Sequence, residues 1–222
     1  MHSVTDSTGP GRAKMRPGGR RLAILLTIGI VLGLLLGLLL IRLSQGEPLF
    51  GSSPQYGVAL DPAEPVNFSL TAHTGDTINL SDFQGKPVLL YFGYTFCPDV
   101  CPATMMELKW MMEELGRRAD QVQVIMVSVD PERDIPAQLG EYVTSFHPSF
   151  IGLTGTEEEL AAVTAEMGVY VYKHEGTAAT GYLIDHTATV QVLDGNGRLR
   201  LLFPFGTTGK EMAADMRHLL RE

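Results

Sequence analysis

"PVLLYFGYTFCPDVCPATMMELKWMMEELG", residues 87–116, joins an uninterrupted apolar run to a helix-forming run. "PVLLYFGY" shows no alternation of polar and apolar residues, which is the pattern of a strand buried on both faces. Beyond it, Pro102 suits the first turn of a helix and Gly116 suits its stop. Met105, Leu108, Met112 and Leu115 recur at helical spacing between them. Cys97 and Cys101, the 2 cysteines of the chain, fall at the junction. One lies just past a strand end and the other at a helix start.

The sequence on either side continues the alternation of element types. "VNFSL" and "TINL" read as a short hairpin around Thr74-Gly75-Asp76, and Ser81 and Gln84 stand at capping-box spacing. "QVQVIMVSVD", "SFIGLTG", "YLID" and "TATVQVLD" read as strands, and "RLRLLFPF" returns after the turn signal "GNG". Helices are expected over "IPAQLGEYVTSF", opened by Pro136, and over "TEEELAAVTAEMG", with Thr156 and Glu159 as a capping box and Gly168 as its end. Thr208 and Glu211 cap a last helix that ends near Leu220. Such alternation, closed by a hairpin and a helix, predicts an α/β fold with a central mixed sheet flanked by helices. The position of the cysteines is that of the active site in a thioredoxin-like fold.

A different region precedes this domain. Leu22 to Ile41, "LAILLTIGIVLGLLLGLLLI", carries no charge, and a helix of that length spans about 30 Å, the thickness of a bilayer core. No A-x-A pattern and no cysteine follows it, so an uncleaved anchor is expected rather than a signal peptide or a lipoprotein. Arg12, Lys14, Arg16, Arg20 and Arg21 precede the run and Arg42 alone follows closely. The positive-inside rule then places residues 1–21 in the cytoplasm as a basic tail, 22–41 in the cytoplasmic (inner) membrane and the remainder outside, in the periplasm. Residues 42–62 are rich in turn formers and read as a flexible tether, leaving 63–222 as the folded domain. Gly29, Gly33 and Gly37 form a G-x-x-x-G pattern twice over, which is compatible with a homodimer through the membrane helix.

Charge narrows the partners. The chain holds 17 Lys and Arg against 25 Asp and Glu, and six of those bases lie before or just after the apolar run. The outer part is therefore more acidic than the formal net charge of −8. Phosphate binding needs a basic surface, so a nucleic-acid ligand is excluded. An extracytoplasmic domain also permits oxidised thiols.

Three chemistries are open to the cysteine pair. A structural disulfide would close a five-residue loop, worth about 2 kcal/mol, where staples between distant elements would be worth more. Redox exchange is available because a helix N-terminus favours the thiolate, although the spacing is C-x-x-x-C rather than C-x-x-C. A soft metal is the third choice, since two thiolates across a helix start can face one ion and Cu(I) prefers sulfur. A closed zinc site needs four N or S ligands, so a further ligand, most simply an imidazole, must come from elsewhere. His2 is excluded by the expected topology. His73 lies in a hairpin turn, His147 in "FHPSF", His174 in the polar "KHEGTAATG" and His218 in the last helix. His186, in "YLIDHTATVQVL", sits between apolar strand stretches and is the candidate held by a sheet. Asp99 reads equally as a group that tunes the thiolates or as a turn former, Asp130 as a loop residue, and Met105, Met106, Met111 and Met112 as packing residues.

Together "FSLTAHTGDTINLSDFQGKPVLLYFGYTFCPDVCP", "VSVDPERD", "FIGLTG" and "YLIDHTATVQVLDGNGRL" resemble the Sco/SenC family of copper-binding assembly proteins across the whole outer domain. The resemblance implies a thioredoxin-like fold with Cys97, Cys101 and His186 as copper ligands, holding Cu(I) and also Cu(II). It implies delivery of copper to the dinuclear copper centre of cytochrome c oxidase, with the copper-binding subunit of that oxidase as partner and other copper chaperones as further partners. The rival expectation is a thiol–disulfide reductase in which Cys97 and Cys101 are a redox-active pair that keeps acceptor cysteines reduced.

Overall fold

The computed structural model describes residues 17–44, 54, 56–61, 64–177 and 181–222. Most of the basic tail with His2, and the tether over 45–53, lie outside the described residues. The chain divides into two units, Met1–Gly51 and Ser52–Glu222. The first contains helix α1, Pro17–Ser44, whose leucines and isoleucines over 24–38 are exposed. Among the described residues no helix is long and apolar enough to cross a membrane. The side chains described in α1 run from 24 to 38, and the two ends of the expected span lie outside them.

The second unit is built on an 8-stranded sheet with the order β1-β10-β9-β4-β5-β6-β2-β3. Its strands are β1 (Val58–Ala59), β2 (Ser69–Ala72), β3 (Thr77–Asn79), β4 (Val88–Gly93), β5 (Gln123–Ser128), β6 (Ile151–Thr154), β9 (Val190–Leu193) and β10 (Leu199–Phe203). β4 pairs in parallel with β5 and antiparallel with β9, so the sheet is mixed as expected. Every residue of β4 is buried, which explains its unbroken apolar sequence. Each buried Leu or Phe there contributes about 1.5–3 kcal/mol relative to exposure. A two-stranded antiparallel sheet of β7 (Val171–Glu175) and β8 (Tyr182–His186) stands apart from the large one.

Four helices complete the unit: α2 (Val100–Leu115), α3 (Pro136–Phe146), α4 (Glu157–Glu166) and α5 (Gly209–Leu219). Gly116 and Gly168 adopt left-handed φ of 56° and 64° just past α2 and α4, the conformation that favours glycine at a helix end. The expected capping boxes of α4 and α5 are formed, with Thr156 and Thr208 accepting from the Glu159 and Glu211 N–H groups. The box expected from Ser81 and Gln84 is not. The 3₁₀ turn over Leu80–Phe83 is capped two residues earlier, at Asn79, and Asp82 accepts the Asn79 N–H at 2.9 Å. The stretch read as a tether enters the sheet at its end. β1 pairs with β10, and the Tyr56 and Gly57 N–H groups donate to the Asp215 carboxylate at 3.0 and 2.7 Å.

α2, which carries Cys101, packs along α5. A Cβ on Gly209 would lie 2.4 Å from the Glu107 carbonyl oxygen and 2.6 Å from the Met111 nitrogen. Only glycine allows that approach. The Glu107 carboxylate accepts the Gly209 N–H at 2.6 Å, so α2 supplies a cap to α5.

Candidate metal centre

β4 ends at Gly93, and six residues of loop lead to α2. Within that loop the Cys97 N–H donates to the Tyr94 carbonyl at 3.3 Å. In the first turn of α2 the Cys101 N–H donates to the Cys97 sulfur at 3.4 Å. The loop is anchored by Asp134, a buried carboxylate that accepts the Thr95 hydroxyl at 2.6 Å, the Thr95 N–H at 3.1 Å and the Ser128 hydroxyl at 2.7 Å. Cys101 is buried, Cys97 is half-buried, and both are free thiols.

His186 closes the third side. It is the last residue of β8, and its Nε2 lies 3.3 Å from the Cys101 sulfur. Its Nδ1 lies 3.1 Å from the Thr187 carbonyl oxygen. A carbonyl can only accept, so Nδ1 carries a proton, and Nε2 is the ring nitrogen that faces the thiols. The three donor atoms lie within 4.8 Å of one another. Cys97 and His186 line an open cleft of about 400 Å³ that reaches solvent past Pro98, Asp99 and Asp185, with Cys101 buried beside them.

The two thiols are electrically unlike. The Cys97 thiol is pulled down to about 3, first by the hydrogen bond from the Cys101 thiol and then, against the effect of burial, by His186 and the Asp99 and Cys101 N–H groups. Cys101 is pushed up, first by that same bond to Cys97 and then by burial. The metal-free pair thus shares one proton and carries one negative charge centred on Cys97. Burial, and next the neighbouring Cys101 side chain, push the Tyr91 hydroxyl up, so it stays protonated. The Tyr91 ring meets His186 edge-on at 6.0 Å between centroids.

Two sulfurs and one imidazole nitrogen, converging on a cleft and short of the four ligands of a structural zinc site, are a donor set for a soft, low-coordinate ion. Among the described residues no other group of three His, Cys, Asp or Glu side chains converges in this way. His73 accepts the Gly152 N–H at 3.1 Å, His147 meets the Ser149 hydroxyl, His174 pairs with Asp185 and His218 faces Glu222. Each is engaged elsewhere. Asp99 occupies the N-cap position of α2 without a side-chain capping bond. Asp130 is buried and accepts from Arg133 and from Tyr182, in keeping with a loop residue. Met105, Met111 and Met112 are buried and Met106 is half-buried on α2.

Several residues of the site escaped the sequence reading: Tyr91, Gly93, Tyr94, Arg133 and Asp134. One signal was available. Tyr91 and Gly93 alternate along β4 and share a face, and that face is turned to the thiols. A Cβ on Gly93 would lie 3.1 Å from the Cys101 sulfur and 2.8 Å from the Tyr91 ring, so glycine makes room for the thiol. Arg133 and Asp134 had no such signal, because their partners are remote in sequence.

Comparison with known proteins gives the chain a family. The family model described as SCO1/SenC matches residues 60–221. A SCO2-like protein of Rickettsia conorii is 33% identical over 153 residues, 68% of this chain and 75% of that protein. The human mitochondrial SCO1 homolog is 33% identical over 156 residues, 69% of this chain and 52% of the human one. Among solved structures, ScoI of Bradyrhizobium japonicum with copper bound is 39% identical, with a TM-score of 0.65, covering 71% of this chain and 99% of that one. Apo Sco1 of Thermus thermophilus is 40% identical, with a TM-score of 0.67, covering 79% and 100%. With its model matched over residues 60–221, from just after β1 to just past the end of α5, the chain belongs to the SCO1/SenC family.

Proposed function

We propose that this protein is a membrane-tethered copper chaperone that holds one copper ion between Cys97, Cys101 and His186 and passes it to the dinuclear copper centre of cytochrome c oxidase. The observation that carries the reading is the convergence of two sulfurs and one nitrogen within 4.8 Å at an open cleft. The relatives with copper bound support the choice of metal. An ion held by two thiolates and an imidazole, with Cys97 and His186 lining an open cleft, is reachable by an incoming thiolate, so it transfers by ligand exchange without a free-ion step. α1 serves as the anchor, with the basic tail cytoplasmic and the folded unit outside the membrane.

A second reading rests on the ionised Cys97 thiol. Its thiolate attacks an acceptor disulfide to form a mixed disulfide, and Cys101 then displaces the acceptor sulfur. The acceptor leaves as a dithiol and this chain as the Cys97–Cys101 disulfide. Copper stoichiometry of the reduced protein separates the two. One tightly bound copper per chain, lost on oxidation of the thiols, supports the chaperone. Absent binding with rapid disulfide exchange leaves the reductase, and equal Cu(I) loading of oxidised and reduced protein removes the cysteines as ligands.

A further inference from the structure

The two thiols stand on the loop and helix that follow β4, whereas His186 stands on a hairpin that has no strand pairing with the large sheet. The edge of β8 that faces away from β7 is held instead by side chains. The Tyr94 hydroxyl accepts the buried Ile184 N–H at 3.3 Å. Arg133 donates from Nη1 to the Tyr182 carbonyl at 3.2 Å. These two backbone groups are two residues apart, and alternate residues of a strand turn their hydrogen-bonding groups to the same edge. The Tyr182 hydroxyl donates to one Asp130 oxygen at 2.5 Å, and Arg133 Nε donates to the other. The guanidinium carbon also lies 3.6 Å from the Tyr182 ring centre, 4.9 Å from that of Phe96 and 5.6 Å from that of Tyr94.

Tyr94 reaches both halves of the site. Its carbonyl holds the Cys97 N–H, its hydroxyl holds β8, and its ring meets His186 edge-on at 6.0 Å. We propose that Tyr94 and Arg133 are positioning residues that stand in for a neighbouring strand along β8 and thereby set the separation between His186 and the two thiols. The inference rests on the reading of Cys97, Cys101 and His186 as metal ligands. The link of residues 187–189 to β9 limits how far His186 can travel. It does not fix the roll of β8, which these side chains do.

The test uses the full chain with Tyr94→Phe, which removes one oxygen and no packing, with Arg133→Lys, and with His186→Ala as reference. In the metal-free protein, amide hydrogen exchange at Leu183–His186 is read against α2. In the Cu(II) form, nitrogen coupling from a bound imidazole is read by pulsed electron paramagnetic resonance, and copper affinity is measured alongside. Tyr94→Phe and Arg133→Lys are expected to speed exchange in β8 at least about 10-fold with α2 unchanged. Copper affinity should fall about 10–100-fold, as for other groups that orient a ligand, with the imidazole coupling weakened. Wild-type exchange in β8, exchange that rises in α2 and β8 alike, or faster β8 exchange with unaltered imidazole coupling would each overturn the proposal. Identical copper spectra for wild type and His186→Ala would instead remove the three-donor reading, and the metal-free exchange would still decide whether Tyr94 and Arg133 hold β8.

Discussion

At the scale of single residues the site works by contrast between three donors. His186 is the distal one, and its removal leaves the two sulfurs in place. His186→Ala is expected to keep the fold, because the residue ends a short hairpin strand and is half-buried. Copper affinity should fall by at least about 10–100-fold, while disulfide exchange at Cys97 and Cys101 survives, since it needs no imidazole. Competitive Cu(I) titration and an exchange assay on the same variant check both halves, and an unaltered affinity would point to a different third ligand. Cys97 makes a second expectation. Its thiol is held down to about 3, against about 8.5 in an unfolded chain. Alkylation of one thiol per folded, metal-free chain should therefore be nearly independent of pH from 5 to 8, whereas the unfolded chain slows about 10-fold per unit below 8. The same depression stabilises the folded state. That contribution is complete above the unfolded value and is lost as pH falls toward about 3. A folded-state rate that climbs steeply between pH 5 and 8 would show a protonated Cys97. That Cys97, Cys101 and His186 converge was legible because cysteine is rare here and because D-H-T carries the family resemblance. Tyr94 and Arg133 were not, because a tyrosine in an apolar strand run and an arginine in an acidic loop look like packing and solvent charge until their partners are known.

Elements with local signals were read well, and elements that depend on a distant partner were not. The capping boxes at Thr156 and Thr208, the buried run of β4 and the "GNG" turn all express preferences within a few residues. β7 did not, because Val171, Tyr172 and Lys173 are exposed and its pattern lacks an inward face. The hairpin of β7 and β8 consequently replaces the rigid sheet expected around His186. The contact between α2 and α5 was equally silent in the sequence, although it controls the helix that carries Cys101. Gly209→Ala would place a methyl group against two backbone atoms of α2, 2.4 and 2.6 Å away, and backbone cannot yield as a side-chain end can. The variant is expected to lose about 1–3 kcal/mol, a fall of roughly 2–4 °C in melting temperature for each kcal/mol. A thermal melt followed by circular dichroism checks this, and an unchanged midpoint would mean that the two helices separate freely.

At the scale of the whole molecule, the entry of the tether into the sheet has a measurable weight. β1 covers the edge of β10, and Asp215, 3% exposed, takes two N–H groups from residues 56 and 57. A domain begun at residue 64 loses the β1–β10 pairing and the two N–H groups that Asp215 accepts, and each lost hydrogen bond costs about 0.5–1.5 kcal/mol. Its urea midpoint should lie below that of a domain begun at residue 54, with both retaining the thiol–imidazole cluster. Equal midpoints would show that the β1 segment contributes nothing. The large architecture was visible in the alternation of elements, but the two-residue β1 was not, since no periodicity can be read from so short a strand. One property of the cluster concerns time rather than geometry. Cys101 and His186 are 85 positions apart, whereas the two cysteines are near neighbours. Synthesis delivers both thiols well before the imidazole, and the imidazole joins them only when β8 has docked beside the loop and helix that follow β4. A chain in which β8 has not yet docked therefore presents the two sulfurs without the imidazole, and the three-donor cluster exists only once distant parts of the sequence have come together, so that its assembly reports on tertiary folding.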